Sequence, residues 1–300
     1  MSGRYPDGST YTLRRPTFAV SNPAGGPLSS ETMQSARVAP PIVGMGLLEA
    51  ISEQDIRAAA DPDDRNHDGI SGRVNTVWDS LAHRTALGRF GWKAGQPSVR
   101  QQSAGALHDD MGVTSPDNSD PCAGQGSLCH EPVPTSRALT PEMTASDLAD
   151  QIFYNRTIAV PIAKDVTSPA VVRGAREFVD SGCAACHSTT QHSGPDEVPG
   201  LANQTFHPFT DLLLHDMGPG LADNRPEFDA SGTEWRTPPL WGLSRRAEVY
   251  GFPSMLHDGR ARTAEEAILW HDGEARASRD RFMKLATGAR SDLLAFLGAL

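Results

Sequence analysis

The sequence contains one C-x-x-C-H run, Cys183-Ala184-Ala185-Cys186-His187, which constrains the fold more than any other feature. Two cysteines one helical turn apart present both thiols on the same side of the chain, where they can add to the two vinyl groups of one porphyrin edge. The adjacent histidine then lies under the ring with a nitrogen directed at the iron. Because this pattern is the attachment site of c-type haem, we predict one covalent haem at Cys183, Cys186 and His187.

Two other uses of a cysteine pair fit this sequence poorly. A zinc knuckle needs a second pair at ligand spacing, and six residues separate Cys122 from Cys129. A thioredoxin-like redox pair follows a strand within a β-α-β unit, whereas residues 174–179 have a helical pattern. We interpret Cys122 and Cys129 as a small loop closed by a disulfide, as expected in an oxidising compartment.

Composition limits the class of protein. The chain has 300 residues, of which 38% are hydrophobic, so two domains with packed cores are expected. Twenty-eight glycines and 23 prolines predict long loops around them. A formal charge of −10 leaves no basic stripe to neutralise phosphates, which argues against nucleic-acid binding. The same charge would favour a basic redox partner or substrate.

The sequence also bears on location. No stretch approaches the roughly 20 apolar residues of a membrane span, and the first residues lack the apolar region of a signal peptide. Because c-type haem is attached outside the cytoplasm, we predict a periplasmic or otherwise extracytoplasmic protein. Either a leader is missing from this chain, or the chain begins part-way through a longer protein.

The periodicity predicts a mainly α protein with long loops. Helices are expected at 43–60 (with Ser52 and Asp55 resembling a capping box), 146–154, 170–180, 263–271 and 290–300. Residues 112–140 are rich in Pro, Asp, Ser and Gly and predict a long loop. Because Pro161 and Pro169 mark a connection, we divide the chain into a loop-rich, partly helical N-terminal domain, 1–165, and a C-terminal domain, 166–300.

An acidic loop opens like the calcium-binding loop of an EF-hand. Asp64, Asn66 and Asp68 stand at alternate positions before a glycine, a spacing that lets side-chain oxygens surround a hard cation. Asn75 replaces the usual glutamate at position 12, and the hydrophobic residue comes one place early, at Ile70. The candidate calcium ligands are therefore Asp64, Asn66, Asp68 and Ile70. The alternative is an Asx-rich turn without metal.

Six short motifs are distributed along most of the chain. They are 64–73 (DRNHDGISGR), 88–94 (GRFGWKA), 210–218 (TDLLLHDMG), 235–243 (WRTPPLWGL), 256–261 (LHDGRA) and 270–275 (WHDGEA). A chain with these motifs resembles the di-haem oxidoreductase family of peroxidases and thiol oxidoreductases, which is related to bacterial di-haem cytochrome c peroxidases and MauG-like enzymes. With the haem motif, the resemblance implies a class I cytochrome c-like domain at 166–300.

Members of that family are similar in having two haems, whereas this chain has a single C-x-x-C-H run. The chain begins just after the place where the first haem motif of the family should lie. We therefore expect either a partial chain or a natural loss of the first haem.

The resemblance also implies a second iron ligand. In the peroxidase relatives this ligand lies on the helix after a His-Asp-Gly turn, fourteen positions beyond the histidine of that turn; counted from His257, the position is His271. The relatives have Met or Tyr there, and two imidazoles would favour ferric iron and a lower potential. His215, Met217, Met255 and His257 are the other candidates.

Further residues are expected around the haem. His257 and Arg260 resemble neighbours of the cofactor, and the forked donors of Arg260 are suited to a haem propionate. The relatives often have Arg where this chain has Trp241. The arginines close enough in sequence to replace it are Arg236, Arg245 and Arg246.

The N-terminal half resembles the peroxidase domain at three places, which are Trp92-Lys93, Gln101 or Gln102, and Asp110-Met111. An acid such as Asp110 would help to move protons from bound peroxide, but only with the first haem beside it. Without that haem we expect no peroxidase activity from this chain. Trp92 is either an electron relay or a packing residue.

We therefore interpret the chain as the electron-transfer half of a di-haem peroxidase-like oxidoreductase, with a small redox donor or acceptor protein as partner. One alternative is a mono-haem electron carrier without catalysis. The other is a haem-free structural or calcium-binding module.

Overall fold

The computed structural model describes residues 1–23, 26–121, 140–251 and 254–300. Cys122 and Cys129, for which the sequence predicts a disulfide, lie outside the described residues. The helices of the described part are α1 (Met45–Glu49), α2 (Glu53–Ala59), α3 (Val99–Met111), α4 (Ala145–Thr157), α5 (Pro169–Asp180), α6 (Arg246–Tyr250), α7 (Ala264–Trp270), α8 (Arg276–Lys284) and α9 (Thr287–Ala299). No helix in these ranges is long and apolar enough to cross a bilayer.

The strands of the described part are short and pair as four antiparallel two-stranded ribbons. These are β1 (Ser2–Arg4) with β2 (Thr10–Thr12), β3 (Thr76–Asp79) with β4 (Arg84–Leu87), β5 (Gln191–His192) with β6 (Thr205–Phe206), and β7 (Leu214–Asp216) with β8 (Glu234–Arg236). In the last ribbon His215 is opposite Trp235. Helices therefore predominate over strands, as the sequence predicts.

The predicted helices differ from the observed ones in informative ways. The capping role of Ser52 is confirmed, since its side chain accepts from the N–H of Asp55 at 3.0 Å. The helical pattern at 43–60 is divided into α1 and α2 by Ile51, which forms a β-bridge with Ser193, and α2 begins after Ser52 and ends at Ala59, as the capping pattern predicts. Three helices of the described part, α3, α6 and α8, were not predicted; polar residues predominate in α3 and α8, and α6 has only five residues.

The largest apolar cluster packs α5, α7, α8 and α9 together. Phe178, Phe282 and Phe296 belong to it. Tyr5, which lies between β1 and β2, and Leu13, which follows β2, also belong to it. Residues from both sides of position 165 thus share one core. The division at that position stays a prediction.

A glycine permits the closest helix contact in this cluster. A Cβ atom on Gly174 of α5 would lie 1.9 Å from the backbone oxygen of Asp292 in α9, far inside van der Waals contact. Arg173 and Asp292 form an ion pair at the edge of the same contact, with Nε and Oδ2 2.6 Å apart. Because α5 leads directly into the cysteine pair, this contact positions the C-x-x-C-H run against the C-terminal helices.

Candidate functional site

One cavity brings together the C-x-x-C-H run and the predicted second iron ligand. Cys183, Cys186, His187 and His271 all line this space, which we call the first cavity. Much of its wall is apolar and includes Phe178, Met217, Leu221, Leu240, Leu256, Ile268, Leu293 and Leu297. Its empty space is about 1400 Å³, part of it open to solvent. The first cavity therefore combines the cysteine pair and the two histidines with largely apolar walls.

The cysteine pair is presented to the cavity by a tight turn after α5. Gly182 takes the left-handed conformation, with φ of 82°, and a 3-10 turn follows at Cys183–Ala185. The N–H of His187 donates to the carbonyl of Cys183 at 3.0 Å. Both cysteines are free thiols, and burial raises the pKa of Cys183 to about 11. Two unpaired thiols on one side of a cavity are the arrangement that attachment to two vinyl groups needs.

His187 and His271 are held by the same kind of hydrogen bond. The Nδ1 atom of His187 lies 2.9 Å from the carbonyl oxygen of Phe209, and that of His271 lies 2.7 Å from the carbonyl oxygen of Ala267. A carbonyl oxygen only accepts, so Nδ1 carries the proton in both rings and Nε2 keeps its lone pair. Burial lowers the pKa of His187 to about 4 and also lowers the pKa of His271. Both rings are therefore neutral imidazoles, the form that ligates a metal.

The position of His271 differs in one respect from the sequence-based expectation. The helix ends at Trp270, and His271 follows it in an extended conformation, with φ of −60° and ψ of 129°. Its N–H bonds to the carbonyl of Ile268, the last bond before the Asp272-Gly273 turn. The bend brings the imidazole back to the last turn of α7, where its Nδ1–H donates a hydrogen bond to the carbonyl of Ala267.

Together, the free thiols, the two neutral imidazoles and the apolar walls fit a haem in the first cavity. Met217 and Met255 line the same cavity and remain alternatives to His271. In the structure as described, His215 is not such an alternative, because both of its ring nitrogens already have carboxylate partners.

His257 lies in the first cavity, whereas Arg260 is not among the residues that line it. His257 stacks on Trp235 with ring centroids 3.7 Å apart and planes 10° from parallel, and burial lowers its pKa to about 4. The Nη2 atom of Arg260 lies 2.8 Å from Asp258, and the guanidinium lies over the Trp270 ring at 4.5 Å. Arg260 thus supports Trp270 rather than facing the cavity.

Among the arginines considered for a propionate, Arg236 has the most suitable surroundings. Its side chain is buried and donates through Nε to the carbonyl of Gly91 at 2.9 Å. Burial lowers the pKa of Arg236 to about 10, although the charge of nearby Asp211 opposes this shift. A buried cation that is not paired directly is costly, and a propionate would pair with it. Arg246 also lines the first cavity, whereas Arg245 pairs with Glu248 on the surface.

A second cavity adjoins the first, since Trp92, Arg236, Pro238 and Pro239 line both. Its lining includes Phe90, Trp241, Gln102, Asp109 and Asp110, but no histidine or cysteine from the described part of the chain. Three residues that resemble the peroxidase domain, Trp92, Gln102 and Asp110, therefore meet at this cavity.

Gln101 and Lys93, which are adjacent in sequence to Gln102 and Trp92, do not line the second cavity. Gln101 accepts from the N–H of Ser80 at 2.9 Å. Lys93 is fully buried, with its Nζ 3.1 Å from Asp223 and 4.3 Å from the centre of the Trp235 ring.

A charged group beside Cys186 was missed by sequence reasoning. The Nδ1 atom of His215 lies 2.7 Å from Glu274, its Nε2 lies 2.9 Å from Asp211, and Cys186 Sγ lies 3.6 Å from Nδ1. Burial opposes a charge on the ring, but hydrogen bonds with Asp211, Cys186 and Glu274 outweigh it and raise the pKa of His215 to about 12. Glu274 is 59 positions away in sequence, so no local pattern indicates this pairing.

The acidic loop is exposed except at its two ends and is closed by its own side chains. Asp64 Oδ1 accepts from the N–H groups of Asp68 at 3.0 Å and Gly69 at 3.2 Å, and Asp68 Oδ1 accepts from that of Ile70 at 2.9 Å. These are Asx-type turns. Asn66 Nδ2 donates to Asp68 at 3.0 Å, so three candidate calcium ligands lie together. Ile70 also lines the first cavity.

The chain belongs to the di-haem oxidoreductase family: the sequence model described as "Di-haem oxidoreductase, putative peroxidase" matches residues 2–300. A solved chain of Kuenenia stuttgartiensis hydrazine synthase, studied under 20 bar of xenon, is similar at 17% identity, over 96% of this chain and 100% of that chain. Its TM-score is 0.37, which does not establish a shared fold. No curated protein matches the chain.

Proposed function

We propose that this chain carries a covalent c-type haem in the first cavity and transfers single electrons through it. Cys183 and Cys186 form the two thioether bonds, and His187 and His271 bind the iron. A single observation carries the proposal: one largely apolar cavity holds two free thiols and two neutral imidazoles. Residues 166–300 then form a class I cytochrome c-like domain.

The protein groups around the two imidazoles suit electron transfer. Each ring is fixed by a hydrogen bond from Nδ1 to a backbone carbonyl, which sets its orientation and raises its basicity as a ligand. Ligation by two imidazoles leaves no open iron position and favours the ferric state. The residues therefore support outer-sphere electron exchange better than reaction with a bound substrate.

Within the family, this chain corresponds to the electron-transfer half of a di-haem peroxidase-like oxidoreductase. Asp110 and Gln102 in the second cavity could move protons for peroxide chemistry only beside a second haem. Without one, the chain is a mono-haem electron carrier. Peroxide-dependent oxidation of a reduced donor by the purified haem protein separates the two functions, since a carrier alone does not turn over peroxide.

The location and partners follow from the haem. We propose an extracytoplasmic protein that exchanges electrons with a small redox protein, and the formal charge of −10 favours a basic partner. We also propose that calcium binds the 64–70 loop through Asp64, Asn66, Asp68 and Ile70, because three of these residues already cluster around the Asx turns.

Removing the thiols tests the attachment. In a strain with the maturation machinery for c-type haem, Cys183→Ala and Cys186→Ala should each lose one thioether bond, and the double variant should lose all haem that survives acid–acetone extraction. The pyridine haemochrome reports the number of thioether bonds. Asp110→Asn, in the second cavity, is the control and should keep both bonds. An unchanged two-thioether spectrum in Cys183→Ala or Cys186→Ala would refute the assignment.

A further inference from the structure

His215 connects two segments of the chain that each carry one of the proposed iron ligands. Its ring is buried, and a carboxylate lies beside each of its nitrogens: Nε2 is 2.9 Å from Asp211, and Nδ1 is 2.7 Å from Glu274. Because a carboxylate oxygen accepts, the ring donates a hydrogen bond to each of the two acids. We call Asp211, His215 and Glu274 the His215 bridge.

One end of the bridge belongs to the segment that holds the C-x-x-C-H run. The N–H of Asp211 donates to the carbonyl of Cys186 at 3.1 Å. Two positions earlier, the carbonyl of Phe209 accepts from Nδ1 of His187 at 2.9 Å. Residues 209–211 therefore fix both the backbone of the cysteine pair and the imidazole beside it, so a displacement of Asp211 would alter the position of the first proposed iron ligand.

The other end of the bridge belongs to the segment that carries His271. Glu274 lies three positions after this histidine, in the 3-10 turn Gly273–Ala275. Its Oε1 atom also accepts from the N–H of Asp216 at 3.1 Å, which holds the turn against β7. A Cβ atom on Gly273 would collide with the carbonyl oxygen of Asp216, so the two backbones are in close contact. The loop of the second proposed ligand is therefore tied to the strand that contains His215.

The side chains of the bridge have little freedom to move. The ring of His215 packs against the backbone of Gly72, where an added Cβ atom would lie 2.6 Å from Cε1 of the ring. Glu274 is held from its other side by Ser71, whose hydroxyl donates to it at 2.9 Å. A buried polar network with all of its hydrogen bonds formed is rigid and favours one geometry. The bridge therefore fixes the separation of the two segments that it joins.

We propose that His215 is a positioning residue for the two iron ligands. By joining its two carboxylates, His215 keeps the segments of His187 and His271 at the separation at which both imidazoles can bind one iron. This inference rests on the proposed function, because it concerns the ligands named there. It goes beyond that function by assigning the six-coordinate state to a side chain that is hydrogen-bonded to carboxylates rather than to either ligand. Loss of a group that supports a metal ligand typically weakens metal binding by about 10–100-fold.

The test uses the full chain with its haem attached, in which Glu274→Ala removes one end of the bridge. The loop of His271 should then be less restrained, and part of the ferric iron should become high-spin. The affinity for cyanide, which competes with His271 for the iron, should rise by about 10–100-fold. Glu274→Gln should retain most of the low-spin spectrum, because its amide oxygen can still accept a hydrogen bond from His215. Absorption spectra and cyanide titration measure both effects.

Glu248→Ala is the matched control, because it removes a glutamate that pairs with Arg245 on the surface. It should leave the spin state and the cyanide affinity unchanged. The double variant His215→Ala with Glu274→Ala should bind cyanide as Glu274→Ala alone does, since both changes break the same bridge. Thermal melting shows whether each variant is folded, and Glu274→Asp, whose carboxylate is one methylene shorter, replaces Glu274→Ala if the latter is not.

Hydrogen exchange in the haem-free chain tests the bridge without the iron. Glu274→Ala should speed the exchange of the amide of Asp216, which the carboxylate holds, and of the amides of residues 273–275. Unchanged exchange at these positions would overturn the proposal. So would an attached, low-spin haem whose spin state and cyanide affinity are the same in Glu274→Ala as in the unaltered chain, although the proposed function would then stand. An unaltered chain that attaches no haem in maturing cells would instead refute the proposed function itself.

Discussion

The two cavities share a wall but differ in the chemistry of their side chains. The first cavity is lined by two thiols and four histidine rings, among largely apolar walls. The second has carboxylates, an amide and aromatic rings, and no histidine or cysteine of the described chain lines it. The first cavity therefore has the nitrogen and sulfur groups that the proposed haem needs, whereas the second offers carboxylate and amide groups only.

The two cavities have a common wall, formed by residues that line both of them. Trp92 and Arg236 line both cavities, and Trp92 is 6.5 Å from His257, ring centre to ring centre. An anion in either cavity can approach the buried charge of Arg236. The two cavities therefore differ in the side chains that could bind a metal, but both are exposed to the positive charge of Arg236.

The largest difference between the two cavities should appear when His271, the proposed second iron ligand, is removed from the first cavity. In the haem protein, His271→Ala should convert a low-spin, six-coordinate ferric iron to a high-spin form that takes up cyanide or imidazole more readily. His271→Met should raise the potential, since a thioether favours ferrous iron. Absorption spectra and redox titration measure both changes.

The controls for His271 come from both cavities. Met217→Ala and Met255→Ala should leave the iron low-spin, and Asp110→Asn in the second cavity should do the same. The ferric spectrum of the unaltered protein should also lack the sulfur–iron band. If a methionine variant becomes high-spin while His271→Ala does not, the second ligand is that methionine.

A smaller effect, on the free energy of unfolding, is expected when a glycine in a helix beside each cavity is replaced by alanine. Gly174→Ala forces a methyl group against the Asp292 carbonyl, so α5 and α9 must separate, and we expect a loss of about 3 kcal/mol in unfolding free energy. Gly105 of α3 lines the second cavity, and a Cβ there meets nothing within 4 Å. Gly105→Ala should therefore stabilise by about 0.5–1 kcal/mol. Urea unfolding of both variants without haem measures the contrast, and equal effects would contradict it.

Local patterns in the sequence predicted the parts of the site that depend on local structure. The C-x-x-C-H run, the Ser52 cap and α5 are encoded within a few residues of one another. The offset from His257 to His271 relied on the family resemblance, and both residues line the first cavity. The pairing of His215 with Glu274 and the use of Arg236 by two cavities arise from contacts between distant segments. No periodicity indicates such contacts. The helices α3 and α8 were missed because polar residues predominate in both.

The smallest expected effect concerns the acidic loop, which belongs to neither cavity but touches the first. Ile70 lines that cavity, and Ser71 donates to Glu274. If calcium binds with a dissociation constant of about 0.1–1 mM, as in weak extracellular sites, 1 mM calcium should stabilise the fold by about 0.4–1.4 kcal/mol. Chelation should then lower the melting temperature slightly, and Asp64→Ala should abolish that response.

The control is Asp63→Ala, which changes the adjacent exposed carboxylate and should keep the response to chelation. A melting temperature that is the same with calcium and with chelator would show that the loop is an Asx turn without calcium.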